Sequence, residues 1–313
     1  MELIRHTGSK KMCRNVRLLG FTITLAFISS AQAGLVYSAL HPNQANYWHI
    51  YFQANLTASP QLVAPEISGD QSAPRLSPNG QQVAFEVQGK GIYICSLDLP
   101  TACQEIAPVQ SVRPVWRSQT NHLLLVRYLI DESNEDADIF TTQESLTITQ
   151  RLIQQTGIQD YPHVSPTGHS LVYTSSQTIA PYHGGVQVVQ QLWVMNLVTG
   201  MAHQLILSSA QDTHPHWSPS GKRIAFASNR TGQFEIWVTS AEGHDLQQIT
   251  SGAGTKTWPT WSPDEQTILF TLTQEGHQNL WLINTDGTQL RPFQPFGSTI
   301  EIPLRDADWQ GEF

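Results

Sequence analysis

The chain has 313 residues, 40% of them hydrophobic and only 13% charged, so it carries enough apolar surface for a core and little for solvated helices. Nine Trp, 18 Pro and 21 Gly favour many short strands joined by tight turns, and all-β folds of more than 200 residues often form one domain. The formal net charge of −8 argues against nucleic acid and anionic lipid as partners.

At the N-terminus, Arg5, Lys10, Lys11, Arg14 and Arg17 precede an apolar run from Leu18 to Ile28, and Ala31-Gln32-Ala33 has the small residues of a cleavage site. This layout predicts a signal peptide over residues 1–33 and a mature chain from Gly34. An uncleaved anchor is the rival, but the apolar run is shorter than the ~20 residues that cross a bilayer. Cleavage removes five of the 17 basic and one of the 25 acidic residues, leaving 12 against 24 and a more acidic protein. Cys95 and Cys103 remain as an even pair, suited to an oxidising compartment such as the periplasm.

Residues 34–63 align with the second, third and fourth strands of units that recur downstream. The first full unit opens with APRLSPNGQQVAFEV (73–87), and Cys95 and Cys103 fall on its third strand and the start of its fourth. Opposed Cβ atoms on adjacent antiparallel strands lie near disulfide distance, so a bridge is expected there. The second unit, RPVWRSQTNHLLLVR (113–127), has lost the Ser-Pro. It continues into an acidic stretch from Asp131 to Asp138, which reads as a solvated hairpin tip because the Gly and final Glu of a calcium loop are missing. YPHVSPTGHSLVYTS (161–175) opens the third, whose connection from Ser176 to Gln190 is extended. HPHWSPSGKRIAFAS (214–228) and WPTWSPDEQTILFTL (258–272) open the fourth and fifth, and Asp306-Ala307-Asp308-Trp309 supplies a last first strand.

The anchors Leu76, Trp116, Val164, Trp217, Trp261 and Trp309 recur at intervals of 40 to 53 residues, the range of propeller blades or solenoid units. Each unit reads as four strands, a to d. In the fourth, these are PHWS, RIAFAS, FEIWVTS and LQQIT, with SPSG as the a-to-b turn: Pro fixes φ and Gly tolerates the reversal. Ile224 and Phe226 alternate with Ala225 and Ala227, so both faces of this strand are expected to be buried.

These residues resemble the TolB-like β-propeller repeat, most sharply at Pro215 to Gly221 with Ile236-Trp237-Val238 and at Pro259 to Asp264 with Leu280-Trp281-Leu282. The resemblance implies an all-β, six-bladed β-propeller over residues 34–313, its last blade shared between N- and C-terminal strands. TolB itself carries an additional N-terminal domain, so its role in the Tol system does not transfer.

No G-x-S-x-G, H-E-x-x-H, P-loop or Rossmann glycine pattern is found, so a catalytic centre is not expected. The leading expectation is a monomeric periplasmic binding or scaffold protein without a cofactor, its partner a protein or cell-envelope component. Its binding face gathers Asp70, Arg113, Asp160, Tyr161, Asp212, His214, Lys256, Trp258 and Arg305 on the d-to-a loops, beside the b-to-c loops around Asp136 and His183. The a-to-b and c-to-d turns at the other end are shorter and more uniform, whereas variable loops concentrate binding groups. The alternative implied by the resemblance is a metal-dependent, oligogalacturonate-type lyase. It needs convergent histidines, for which His163, His214 and His216 are candidates. The positions equivalent to His163 and His216 hold Arg75, Val115, Thr260 and Asp308, so the ring of histidines is broken.

Overall fold

A computed structural model describes residues 34–40, 47–99, 102–118, 120, 122–131, 134–143, 146, 148–179, 187–297 and 302–311. The leader, the tip of the acidic hairpin and Tyr182 to Gly185 lie outside these. The chain opens with β1 (Gly34–Ala39), β2 (His49–Gln53) and β3 (Gln61–Leu62). The first blade follows as β4 (Gln71–Leu76), β5 (Gln82–Val87), β6 (Gly91–Ser96) and β7 (Cys103–Ala107). Next come β8 (Ser111–Trp116), β9 (Leu123–Asp131), β10 (Asn134–Thr142) and β11 (Ile148–Arg151), then β12 (Gln159–Val164), β13 (Ser170–Ile179), β14 (Gln187–Asn196) and β15 (Ala202–Gln204). The fourth blade is β16 (Asp212–Trp217), β17 (Arg223–Ser228), β18 (Glu235–Ser240) and β19 (Gln247–Gln248). The fifth is β20 (Thr255–Trp261), β21 (Thr267–Gln274), β22 (His277–Asn284) and β23 (Arg291–Pro292), and β24 (Leu304–Gln310) ends the chain.

These strands form six four-stranded antiparallel sheets. The sixth has the order β24-β1-β2-β3, with Trp309 opposite Leu35. The two ends of the chain thus close the ring in one sheet, which removes the exposed edge that an open array would carry.

Apolar layers between neighbouring blades form the core. Leu35 and Tyr37 pack toward Leu269 and Leu280 of the fifth blade, whereas Val36 between them packs toward Val83 and Phe85 of the first. The same alternation sends Ile224 and Phe226 toward the third blade and Ala225 and Ala227 toward the fifth. A strand buried on both faces needs apolar residues in sequence, and small ones where the next blade comes close.

The serine of the Ser-Pro turns has a defined task. Ser77, Ser165, Ser218 and Ser262 each accept, on the side-chain oxygen, the amide five residues later. Cys95 and Cys103 are directly opposite on β6 and β7, with Cα atoms 4.1 Å apart, and form a disulfide. The acidic hairpin is less solvated than its composition implies. Asp138 is fully buried and ion-paired with Arg151, and burial, against the pull of Arg151, raises its carboxyl to about 6.

Candidate functional site

The innermost strand of each blade has one backbone feature in common. Ala73, Arg113, Tyr161, His214, Trp258 and Asp306 all have positive φ, between 48° and 54°. Each lies at a β-bulge, where the pairing with the second strand shifts register. Five of the six precede proline, whose ring disfavours the right-handed helical region for the residue before it. A left-handed residue at a bulge sharply re-aims its side chain. The sequence reading starts this strand at the proline and misses the bulge; in the fourth blade the strand begins at Asp212, three residues earlier.

The bulged residues of blades two to five meet across the axis. The ring centroids of Tyr161 and His214 are 4.0 Å apart, those of His214 and Trp258 4.4 Å, and those of Tyr161 and Trp258 5.2 Å. The Arg113 guanidinium lies 4.3 Å from the Tyr161 ring centroid, donates to the Tyr161 hydroxyl at 3.1 Å and pairs with Asp160 at 2.8 Å. Burial opposes the charge on Arg113, but Asp160 and Tyr161 overcome it and keep the group protonated. Burial, reinforced by Arg113 and Arg75, holds the His214 imidazole well below its ordinary value, so it is neutral. Arg113, Tyr161, His214 and Trp258 remain half-buried, so this cationic and aromatic cluster plugs the channel while keeping one surface open.

The other residues placed on this mouth by sequence are engaged by their own scaffold. Asp160, Asp212 and Lys256 are buried, and the last two pair with Arg230 and Glu235, each at 2.9 Å. Asp70 accepts the Trp48 amide at 3.0 Å, and Arg305 lies over the Trp48 ring and pairs with Asp306 at 3.3 Å. Of the residues placed here by sequence, Arg113, Tyr161, His214 and Trp258 are therefore the ones that meet one another across the mouth.

Two residues further along each inner strand lies a second tier: Arg75, Val115, His163, His216, Thr260 and Asp308. Here His163, His216 and Asp308 bring possible metal-ligand atoms within 4.8 Å of one another. Their hydrogen bonds show that the set does not fit a metal. His163 Nδ1 accepts the Trp217 amide at 3.1 Å, which leaves the proton of its neutral ring on Nε2. His216 Nδ1 donates to the Trp217 carbonyl at 3.0 Å, and its Nε2 lies 3.3 Å from the Thr260 hydroxyl and 3.5 Å from Asp308 Oδ1. Asp308 accepts the Leu76 amide at 2.9 Å, and the buried Arg75 guanidinium nearby repels a cation. Burial, with His216 and Arg75, keeps His163 neutral. His214 belongs to the upper tier and is outside this group. The histidines fasten neighbouring blades to one another.

Beyond the second tier the channel opens at the end formed by the a-to-b turns, into a cavity of about 240 Å³. Its lining includes Arg75, His163, His216, Trp116, Trp217, Trp261 and Trp309, with Ser77, Ser118 and Ser218 at its edge. The sequence reading places the binding face at the opposite mouth. The aligned tryptophan anchors were its available signal, but as single repeat positions they read as blade packing.

A family model described as the TolB beta propeller domain matches residues 182–303. An uncharacterised protein of Agrobacterium fabrum is 29% identical over 86 residues, 28% of this chain and 26% of the relative. An uncharacterised peptidase of Bacillus subtilis is 28% identical over 90 residues, 28% of this chain and 13% of the relative, so the chain spans a small part of either. Among solved structures, TolB from Acinetobacter baumannii superimposes with a TM-score of 0.71 at 17% identity, over 90% of this chain and 67% of that one. An oligogalacturonate lyase in complex with manganese gives 0.54 at 13% identity, over 79% of this chain and 70% of that one, a likeness of fold alone. The chain is thus a six-bladed β-propeller, and its residues 182–303 match the TolB beta propeller domain.

Proposed function

We propose that this propeller is exported to the periplasm by cleavage before Gly34, and that it binds a protein segment or cell-envelope component as a scaffold. The observation that carries the reading is the half-buried cluster of Arg113, Tyr161, His214 and Trp258 across one mouth. Arginine and large aromatics on a rigid frame are the usual composition of an interaction hot spot. The frame is rigid here because Asp160 and the neighbouring blades hold each side chain in place. The Cys95–Cys103 disulfide agrees with an oxidising compartment. The lyase alternative draws no support from the second tier, where His163 Nδ1 is committed to the Trp217 amide and the buried Arg75 guanidinium stands nearby.

Crosslinking in the periplasm followed by identification of the captured partner tests this reading. The Tyr161→Ala, Trp258→Ala double variant should lose capture while keeping its fold, and changes in the a-to-b turns such as Ser220→Ala should not. The reverse pattern would place the protein-binding face at the other end. N-terminal sequencing of exported protein should begin at Gly34, and recovery of the full-length chain in the membrane fraction would overturn the export claim.

A further inference from the structure

The outer strands of the blades are short, with one exception. β3, β15, β19 and β23 have two or three residues and β11 has four, whereas β7 has five and exposes Gln104 and Glu105 at its middle. Short outer strands protect a sheet edge from pairing with other chains, and β7 lacks that protection. It is the last strand of its sheet and pairs only with β6 among the described residues. Cys95 and Cys103, with Cα atoms 4.1 Å apart, are a close pair of the kind that exchanges no backbone hydrogen bonds, and Tyr93 and Glu105 are the next pair of that kind. The Glu105 amide and carbonyl therefore point away from β6, and no hydrogen bond among the described residues reaches them. The disulfide holds β7 to β6, so the strand resists being peeled off by a chain on its free side.

A groove of about 440 Å³ lies beside this edge, between the outer strands of the first and second blades. Gln104, Ile106 and Pro108 form one wall and Arg127, Leu146 and Ile148 the other. Arg127 is half-buried and has no hydrogen bond or ion pair among the described residues. Asp138 stands directly across from it on β10 but gives its carboxylate to Arg151. Glu105 turns back on its own sheet and accepts the Tyr93 hydroxyl at 3.2 Å. The groove thus offers a guanidinium without a counterion among apolar side chains, next to a free backbone edge. In a strand added to β7, the residue paired with Glu105 shares its face. The residues on either side point to the opposite face, where Ile94 and Ile106 pack toward the second blade.

We infer that β7 receives an extended peptide segment of a partner protein as a fifth strand, with an acidic side chain of that segment on Arg127. Backbone pairing at Glu105 supplies affinity that is independent of sequence, and the acid at a neighbouring position supplies selectivity. The apolar walls of the groove exclude water from the ion pair and strengthen it. The site is on the outer rim of the ring, so it does not depend on the reading of the mouth at Tyr161 and Trp258.

Calorimetric titration of the mature protein with acetyl-Thr-Val-Glu-Val-Glu-Val-Thr-amide tests this. It is run against the same peptide with Gln for Glu, and against one N-methylated at its Val residues, which cannot pair with the edge. The Glu peptide should bind, the Gln peptide about fivefold more weakly, and the N-methylated peptide not at all. Arg127→Gln should erase the difference between the Glu and Gln peptides. Glu105→Pro removes the outward amide, a change an edge strand tolerates, and should weaken binding about tenfold relative to Glu105→Ala, which keeps that amide. Arg127→Gln remains informative if Glu105→Pro fails to fold. No binding of the Glu peptide at about 1 mM, equal binding of the N-methylated peptide, or a Glu preference that survives Arg127→Gln would overturn the proposal. So would dimerisation of the parent protein that Glu105→Pro abolishes, because it assigns the edge to a second copy of the chain.

Discussion

Replacing Asp308 with alanine should cost the propeller about 3 kcal/mol, although the residue lies five positions from the end of the sequence. Its carboxylate accepts the Leu76 amide at 2.9 Å across a separation of 232 residues, joining the closing strand to the first blade. Asp308 and Leu76 are both fully buried, so water cannot replace the lost acceptor. A hydrogen bond to a charged group contributes about 1.5 to 3 kcal/mol, and stranding the buried amide adds to the loss. Asp308→Asn keeps an oxygen in place and should cost about 1 kcal/mol. For a domain of this size, 3 kcal/mol lowers Tm by about 6 to 12 °C. Urea unfolding followed by tryptophan fluorescence measures the difference, with the slope against denaturant expected to stay constant. Alanine within about 0.5 kcal/mol of the parent, or asparagine as damaging as alanine, would refute the claim that this hydrogen bond closes the ring.

Truncation before Asp306 should uncover the buried Leu35 and Tyr37 and leave β1 as an exposed edge. The product should aggregate or lose cooperative unfolding, seen by size-exclusion chromatography and calorimetry. Thiol titration of the unfolded, unreduced mature protein should find Cys95 and Cys103 oxidised, and reducing their short loop should cost about 2 to 3 kcal/mol. At pH 5.5, nitrogen-edited NMR should still show His163 neutral with its proton on Nε2. Because its folded value lies below the unfolded 6.5, the stability it contributes is full above that pH and is lost as pH falls.

Much of this protein was legible in the chain because a propeller writes its architecture locally. The Pro-x-Trp-Ser-Pro units fix blade number, and the Ser oxygen that closes each turn acts within five residues. The displaced Trp309 unit already required a sixth blade shared between the ends, and the opposition of Cys95 to Cys103 followed from a short hairpin. Residues that meet across the axis were beyond such reading. Tyr161 and Trp258 lie 97 positions apart in sequence and come into contact through left-handed bulges, which sequence pattern does not announce. The charge state of the site was likewise hidden: Asp212 and Lys256 look free in the sequence and are buried in ion pairs in the fold. The open end of the channel depended on side chains from several blades filling one mouth and leaving the other empty. Local pattern determines a repeating backbone, because its hydrogen bonds and turns are local; what fills the axis of a ring is set only by contacts that exist once the ring has closed.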